Sequence, residues 1–332
     1  LSIRRQRQMC IRDSGRVKKE AQDWLDYIEN PKGNEGARIR TFLGHYHMGL
    51  ANPASAVLNY TQRWTTTYPE LRKLTSKPWK ALMEAQSVAR EYSKNPEALA
   101  KRNPELFNAI KNAELEGITD DSSMRSLFGM SKTGGVKSTW NTLTELSMAL
   151  NSKAETSNRV SAYIAGYLNA PKGSDANTVA RNFVETTQFD YGRHAKPRVA
   201  RGIFAPLYTF RLFGHNYWGN LRNSTKELFE AKNLERIEQN PEKKAEYNKQ
   251  YRQSLGVLAR YTGAMTVTGG AKAVPFYAAL GWATKAFFGE NLDDLLDDAI
   301  GVHPANFFKY GVFGSLPGGI ALTCLLYTSD AA

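Results

Sequence analysis

Asn-Pro steps recur along the chain where helical patterns begin: Asn52-Pro53, Asn95-Pro96, Asn103-Pro104 and Asn240-Pro241. In the last three a glutamate follows directly. An asparagine side chain can accept a hydrogen bond from an orphan N–H of the first helical turn. Proline at the first helical position needs no donor and already holds a helical φ. These steps are local capping chemistry and mark no repeat array. No segment alternates apolar and polar residues over a strand's length, and no hairpin turn joins such segments. The expected fold is all-α, an irregular multi-helix bundle with a Gly/Ala-rich apolar helical hairpin near the C-terminus.

Apolar spacing refines this expectation. Val17, Ala21, Trp24, Leu25 and Ile28 share one face of a helix over 15–30, and a second helix follows over 36–50. Tyr68-Pro69 should break or restart the helix begun at Asn52. Further helices are predicted over 78–93 and from Asn95 and Asn103, the last ending at Gly117. Thr119 to Ser122 can cap a short helix. The Gly-rich loop 131–137 is the expected boundary between an N-terminal subdomain, 15–130, and a C-terminal one, 138–323. Leu143, Leu146, Leu150, Ala154, Ser161, Ile164 and Leu168 form the expected buried stripe of a long helix over 138–169. A helix to about Gln188 carries Val179, Ala180, Phe183, Val184 and Thr187. A basic linker, 192–202, then leads into an aromatic helix ending near Leu228. Residues 232–253 are strongly polar, with 240–253 read as a solvated helix, 255–288 as apolar, 290–301 as an acidic helix and 307–322 as a loop-like tail.

The ends stand apart. Residues 1–14 and 324–332 resemble translated sequencing-adapter read-through of the kind found at the ends of metagenomic reading frames, and they are set aside from the fold. Cys10 and Cys324, the only cysteines, both lie there, so disulfides, thiolate nucleophiles and cysteine zinc sites drop out of the reading. The net charge is +12. The ends carry four arginines against two aspartates, which leaves +10 for the body. A chain of that charge attracts polyanions, either nucleic acid or anionic membrane.

Enzyme chemistry finds little purchase. His45 and His47 sit two apart and would face different sides of a helix, while His194, His215 and His303 are isolated. Ser131–Gly135 lacks the residue order of a phosphate loop. Gly269-Gly270 reads as a bend or a close-packing site. Asp293, Asp294, Asp297 and Asp298 lie on one helix flank without the spacing of a calcium loop. Glu155 and Arg159, four apart, are the least poor acid-and-partner candidate for an enzyme acting on cell wall or nucleic acid. An intrahelical structural ion pair is the preferred reading. No catalytic residue, cofactor or metal is assigned.

The densest signal is cationic and then aromatic. Arg193, Lys196, Arg198 and Arg201 flank Pro197, and Tyr208, Arg211, Tyr217 and Trp218 follow on the next helix. Cations beside Tyr and Trp suit an interface with anionic headgroups. The same groups could neutralise DNA phosphates, and an arginine-rich linker packing on rings would use them equally well. Residues 255–288 contain Arg260, Lys272 and Lys285, which cut an otherwise apolar stretch into runs too short to span a bilayer. A buried hairpin and an interfacial one both stay open.

Three ordered segments, "ETSNRVSAYIAGYL", "ARNFVETTQFDYGRHAKPRVARG" and "IFAPLYTFRLFGHNYWGNL", resemble the C-terminal helical region of large polyvalent proteins of bacteriophages and prophages. "NPASAVLNYTQ" resembles a segment upstream in that group. The likeness spans roughly 36–320. Lys196-Pro197-Arg198 stands where Arg-Pro-Arg is more usual. The resemblance implies a non-enzymatic module of an internal virion protein, ejected with the genome to the host envelope or cytoplasm. Its expected partners are anionic membrane, DNA, other virion proteins and a second copy of itself. It supplies no catalytic residues.

Overall fold

The computed structural model describes residues 59–120, 139–189, 212–273 and 289–314, with positions 17–19, 21–23, 25, 56, 277, 281, 282 and 284–286. A π-helical turn, Arg63–Thr67, runs into α1 (Tyr68–Leu74). There follow α2 (Pro78–Lys94), α3 (Pro96–Arg102), α4 (Pro104–Leu115), α5 (Thr139–Leu168) and α6 (Ala176–Gln188). Then come α7 (Leu212–Ile237), α8 (Pro241–Gly269), a short 3-10 turn (Ala271–Ala273), α9 (Leu292–Ile300) and α10 (Val302–Gly314). Among the described residues there is no strand, and the all-α fold holds.

The Asn-Pro steps act as expected. Asn95 accepts from the N–H of Ala98 at 3.1 Å, and Asn103 from that of Leu106 at 3.0 Å. Asn240 accepts from Glu242 at 2.9 Å. Asn52 lies outside the described residues. Past α4, Gly117 has φ 75°, and the N–H of Ile118 reaches back to the carbonyl of Ala113 at 2.9 Å. That is a Schellman closure, in which a glycine takes the left-handed turn.

α5 is the spine. α2, α4 and α6 pack on it, and the π turn and α1 connect this group to α8. α8 lies along α7 and also meets α10, which holds α9. One apolar core joins Leu71, Leu82, Ile110, Ile164 and Val184. Helices on both sides of 131–137 therefore bury their faces together. The loop 131–137, expected to divide two subdomains, is itself outside the described residues.

Several expectations change. Leu150 and Leu168, expected in the buried stripe of α5, are exposed, whereas Met148, Asn151, Glu155 and Asn158 are buried. Val17, Ala21 and Leu25 are exposed where a packed stripe was expected. Periodicity says which side of a helix would be buried, not whether a partner lies there. At Tyr68-Pro69 the backbone stays helical, but the π turn ends and α1 starts with Pro69 in its first turn, so the expected restart is found without a break. Proline's ring clashes with the carbonyl four residues earlier and it has no N–H to donate, and the widened π turn just before it absorbs both effects. α7 continues past Leu228, and α8 runs unbroken from the polar 241–253 into the apolar stretch, since a change of surroundings does not end a helix. The tail is helical to Gly314. Among the described residues no helix is long and apolar enough to cross a membrane.

Gly269-Gly270 is both a bend and a close-packing site. Gly270 ends α8 at φ 75°, and Gly311 breaks α10 at φ 69°. A Cβ on Gly270 would run into the backbone of Lys309 and Tyr310.

Candidate functional site

The buried face of α5 is polar where it meets the π turn. Arg63 is only 3% exposed. Its Nε and Nη2 donate to Oδ1 of Asn158 at 3.0 and 2.8 Å, and Nη2 also donates to Ser157 Oγ at 3.1 Å. Asn158 Nδ2 donates onward to the carbonyl of Asn59 at 2.7 Å. The guanidinium stacks on the Tyr60 ring, 3.4 Å from its centre. A buried charge requires such satisfaction. Burial still lowers the affinity of Arg63 for its proton. Thr65 and Thr66 bond back to the carbonyls of Thr61 and Gln62, which competes with the regular helical ladder in this turn.

One turn along α5, Arg159 and Glu155 form a buried pair, with Nε to Oε1 at 2.6 Å and both side chains under 5% exposed. Arg159 also donates to the carbonyls of Ile118 at 3.3 Å, Gln188 at 3.4 Å and Phe189 at 2.7 Å. It thereby closes the C-terminal end of α6 and the turn after α4 at once. Phe189 is buried with φ 55°, an uncommon conformation for a residue with a side chain. Gln188 donates to Thr67 Oγ1 at 2.8 Å. The end of α6, a few residues before the basic linker, is thus pinned to α5 and to the π turn.

A second polar junction binds α1, α6, α7 and α8. Tyr261 Oη donates to Glu70 Oε1 at 2.9 Å, and Lys73 lies 3.3 Å from Glu70 Oε2 and 3.0 Å from Glu227. Asn220 donates to Tyr261 Oη at 3.2 Å and to the carbonyl of Thr186 at 2.8 Å. Burial raises the Glu70 carboxyl above its ordinary value, against the pull of Lys73 and Tyr261. Lys73 is likewise raised: burial opposes its charge, but Glu70 and Glu227 together outweigh it. Its side chain is one-third exposed, so burial weighs on it less than on Glu70.

The predicted site residues divide accordingly. Glu155 is buried and paired with Arg159, whose remaining donors go to backbone carbonyls. Tyr217, expected at a polyanion or membrane contact, is buried. It packs edge-on to Tyr261 at 5.1 Å and donates to the Tyr261 carbonyl at 3.2 Å. It belongs to the core because it falls on the side of α7 that meets α8. Trp218, one step round the helix, is 47% exposed. Arg193, Lys196, Arg198, Arg201, Tyr208 and Arg211 lie outside the described residues. Asp293 is held by Lys272 and Tyr277, and Asp297 by Lys309 at 2.7 Å, so this acidic flank is part of the junction with α10 rather than a wholly solvated face. Among the described residues no cluster of His, Cys, Asp or Glu is arranged to hold a metal.

Sequence reasoning missed the polar seam of Asn59, Arg63, Asn158, Glu70 and Tyr261. Its one signal was the spacing of Asn151, Glu155 and Asn158, which matches an exposed helix face equally well. No family model matches this chain, and comparison with curated proteins and with solved structures returns no match.

Proposed function

We propose that this chain is a non-enzymatic helical module of a phage internal virion protein, ejected with the genome, whose contact with an anionic partner is made by the basic segment 192–202. The observation that carries the reading is Arg193, Lys196, Arg198 and Arg201 within nine residues, set between fixed flanks. On one side Phe189 is tied to Arg159; on the other Tyr217 is seated against Tyr261. Both flanks are held by buried contacts within the chain itself. The net charge of +12 gives the long-range attraction. The phage assignment rests on the ordered likeness in sequence described above.

The test is binding of the full chain to duplex DNA and to anionic vesicles, over a range of salt, for wild type and for Arg193→Gln/Lys196→Gln/Arg198→Gln/Arg201→Gln. On a DNA duplex, every phosphate that the variant no longer neutralises should make the slope of log K against log salt shallower by about 0.9. A quadruple variant that keeps the wild-type affinity and slope on both partners removes the segment from the interface.

A further inference from the structure

The face of α7 turned away from α8 has a composition of its own. Tyr217, Ser224 and Ala231, spaced by sevens, are buried along the seam with α8. On the opposite side, within an arc of about 100°, lie Trp218, Arg222, Lys226, Phe229, Arg236 and Ile237, all exposed. Phe229 and Ile237 are 63% and 68% exposed. The stripe runs for about 28 Å at the helical rise per residue.

The acids of α7 are placed elsewhere. Glu227 turns to Lys73, and Glu235 is bound by Lys232 and Asn248 at the α8 side. Glu230 flanks the stripe and pairs with Lys226 across 3.6 Å. The stripe proper therefore presents three cations interleaved with three apolar side chains and the neutral Asn233, and no carboxylate.

We infer that this outer face of α7 docks on an anionic lipid surface, with Trp218, Phe229 and Ile237 entering the headgroup boundary and Arg222, Lys226 and Arg236 facing the phosphates. The inference rests on the reading of the chain as a binder of anionic partners and names the surface and the partner. A bilayer takes up both kinds of side chain at once. The outside of a DNA duplex matches the cations but offers no apolar volume to Phe229 and Ile237. A second copy meeting this face about a two-fold axis would set its cations against like charges.

The experiment is co-sedimentation of the full chain with vesicles of phosphatidylglycerol and phosphatidylcholine, and with phosphatidylcholine alone, comparing wild type with the charge-conserving Phe229→Ser/Ile237→Ser. Both positions are exposed, and circular dichroism checks that the variant is folded; Phe229→Gln/Ile237→Gln is the substitute if it is not. The expected result is partitioning onto the anionic vesicles weakened by about tenfold or more, because two apolar side chains no longer enter the bilayer, with DNA affinity kept within twofold. Unchanged partitioning overturns the inference, and so does an equal weakening on DNA, because the face would then be reading charge alone. If neutralising 193–201 abolishes vesicle binding while the α7 variant binds normally, the inference fails and the functional reading stands. A wild-type chain that binds neither vesicles nor DNA takes both away.

Discussion

Arg159 donates to one carboxylate and three backbone carbonyls in a nearly dry setting. Removing it should leave Glu155 buried without a cation, at a cost of about 3–5 kcal/mol for Arg159→Met. Lysine should not substitute, since a single ammonium cannot reproduce the planar fork of donors. Replacing both partners, Glu155→Leu with Arg159→Met, should recover part of the loss. Urea unfolding of the four proteins gives the coupling; additive effects would mean the pair is energetically idle. The spacing of Glu155 and Arg159 was legible in the sequence, and so was the pairing. Their burial was not, because a polar stripe at helical spacing is read by default as a wet face. The glycines allow a second comparison. Gly270 and Gly301 both have positive φ, 75° and 82°, but only Gly270 has backbone against it. Gly301→Ala should therefore cost about 1–3 kcal/mol for conformation alone. Gly270→Ala must cost more, because α10 has to move. Equal melting temperatures for the two variants would contradict the close crossing of α8 and α10.

At the scale of elements, helix starts were the most legible feature and helix continuity the least. An asparagine cap is decided within four residues, so Asn95, Asn103 and Asn240 could be read directly. The π turn depends on two threonine back-bonds, on Pro69 and on the seating of Arg63 against α5, and no single stretch of sequence contains all of these. α8 hides its continuity because its first half meets water and its second half meets α1 and α10. The junction of α1 with α7 and α8 carries a pH dependence whose sign follows from Glu70. Its folded-state value is raised above 4.5, chiefly by burial. The native state then holds that proton more tightly than the unfolded chain does. Stability from this group is fully present below pH 4.5 and falls as pH rises through the raised value. Lys73 on α1, Tyr261 on α8 and Glu227 on α7 are the titratable groups that face it. Glu70→Gln should remove this slope, so the variant's stability relative to wild type should improve from pH 4 to neutrality. A wild-type-to-variant difference that stays flat across that range would show that Glu70 titrates normally.

For the molecule as a whole, the shared core decides how the chain should come apart. Leu82 and Ile110, before residues 131–137, and Ile164 and Val184, after them, are all fully buried in one cluster. A fully buried Leu, Ile or Val contributes about 1.5–3 kcal/mol relative to an exposed one. Cutting the chain at that loop would therefore strip α5 of two neighbours and leave Arg63 without Asn158. The sequence suggested a boundary there because glycine, serine and lysine cluster in the loop. Loop composition reports where a chain can be flexible, not whether the helices on either side share a core. Residues 15–137 and 138–323, made separately, are each expected to lack a cooperative thermal transition. Mixed together, they should regain helicity and a common melt, as two halves of one folding unit do. A sharp independent transition in 138–323 alone, followed by circular dichroism and by tryptophan fluorescence, would mean that α5 finds sufficient cover from α6 and the π turn's absence is tolerated. The expected result is the opposite, because α2 and α4 supply the apolar side of α5 while Arg63 supplies donors for its polar side.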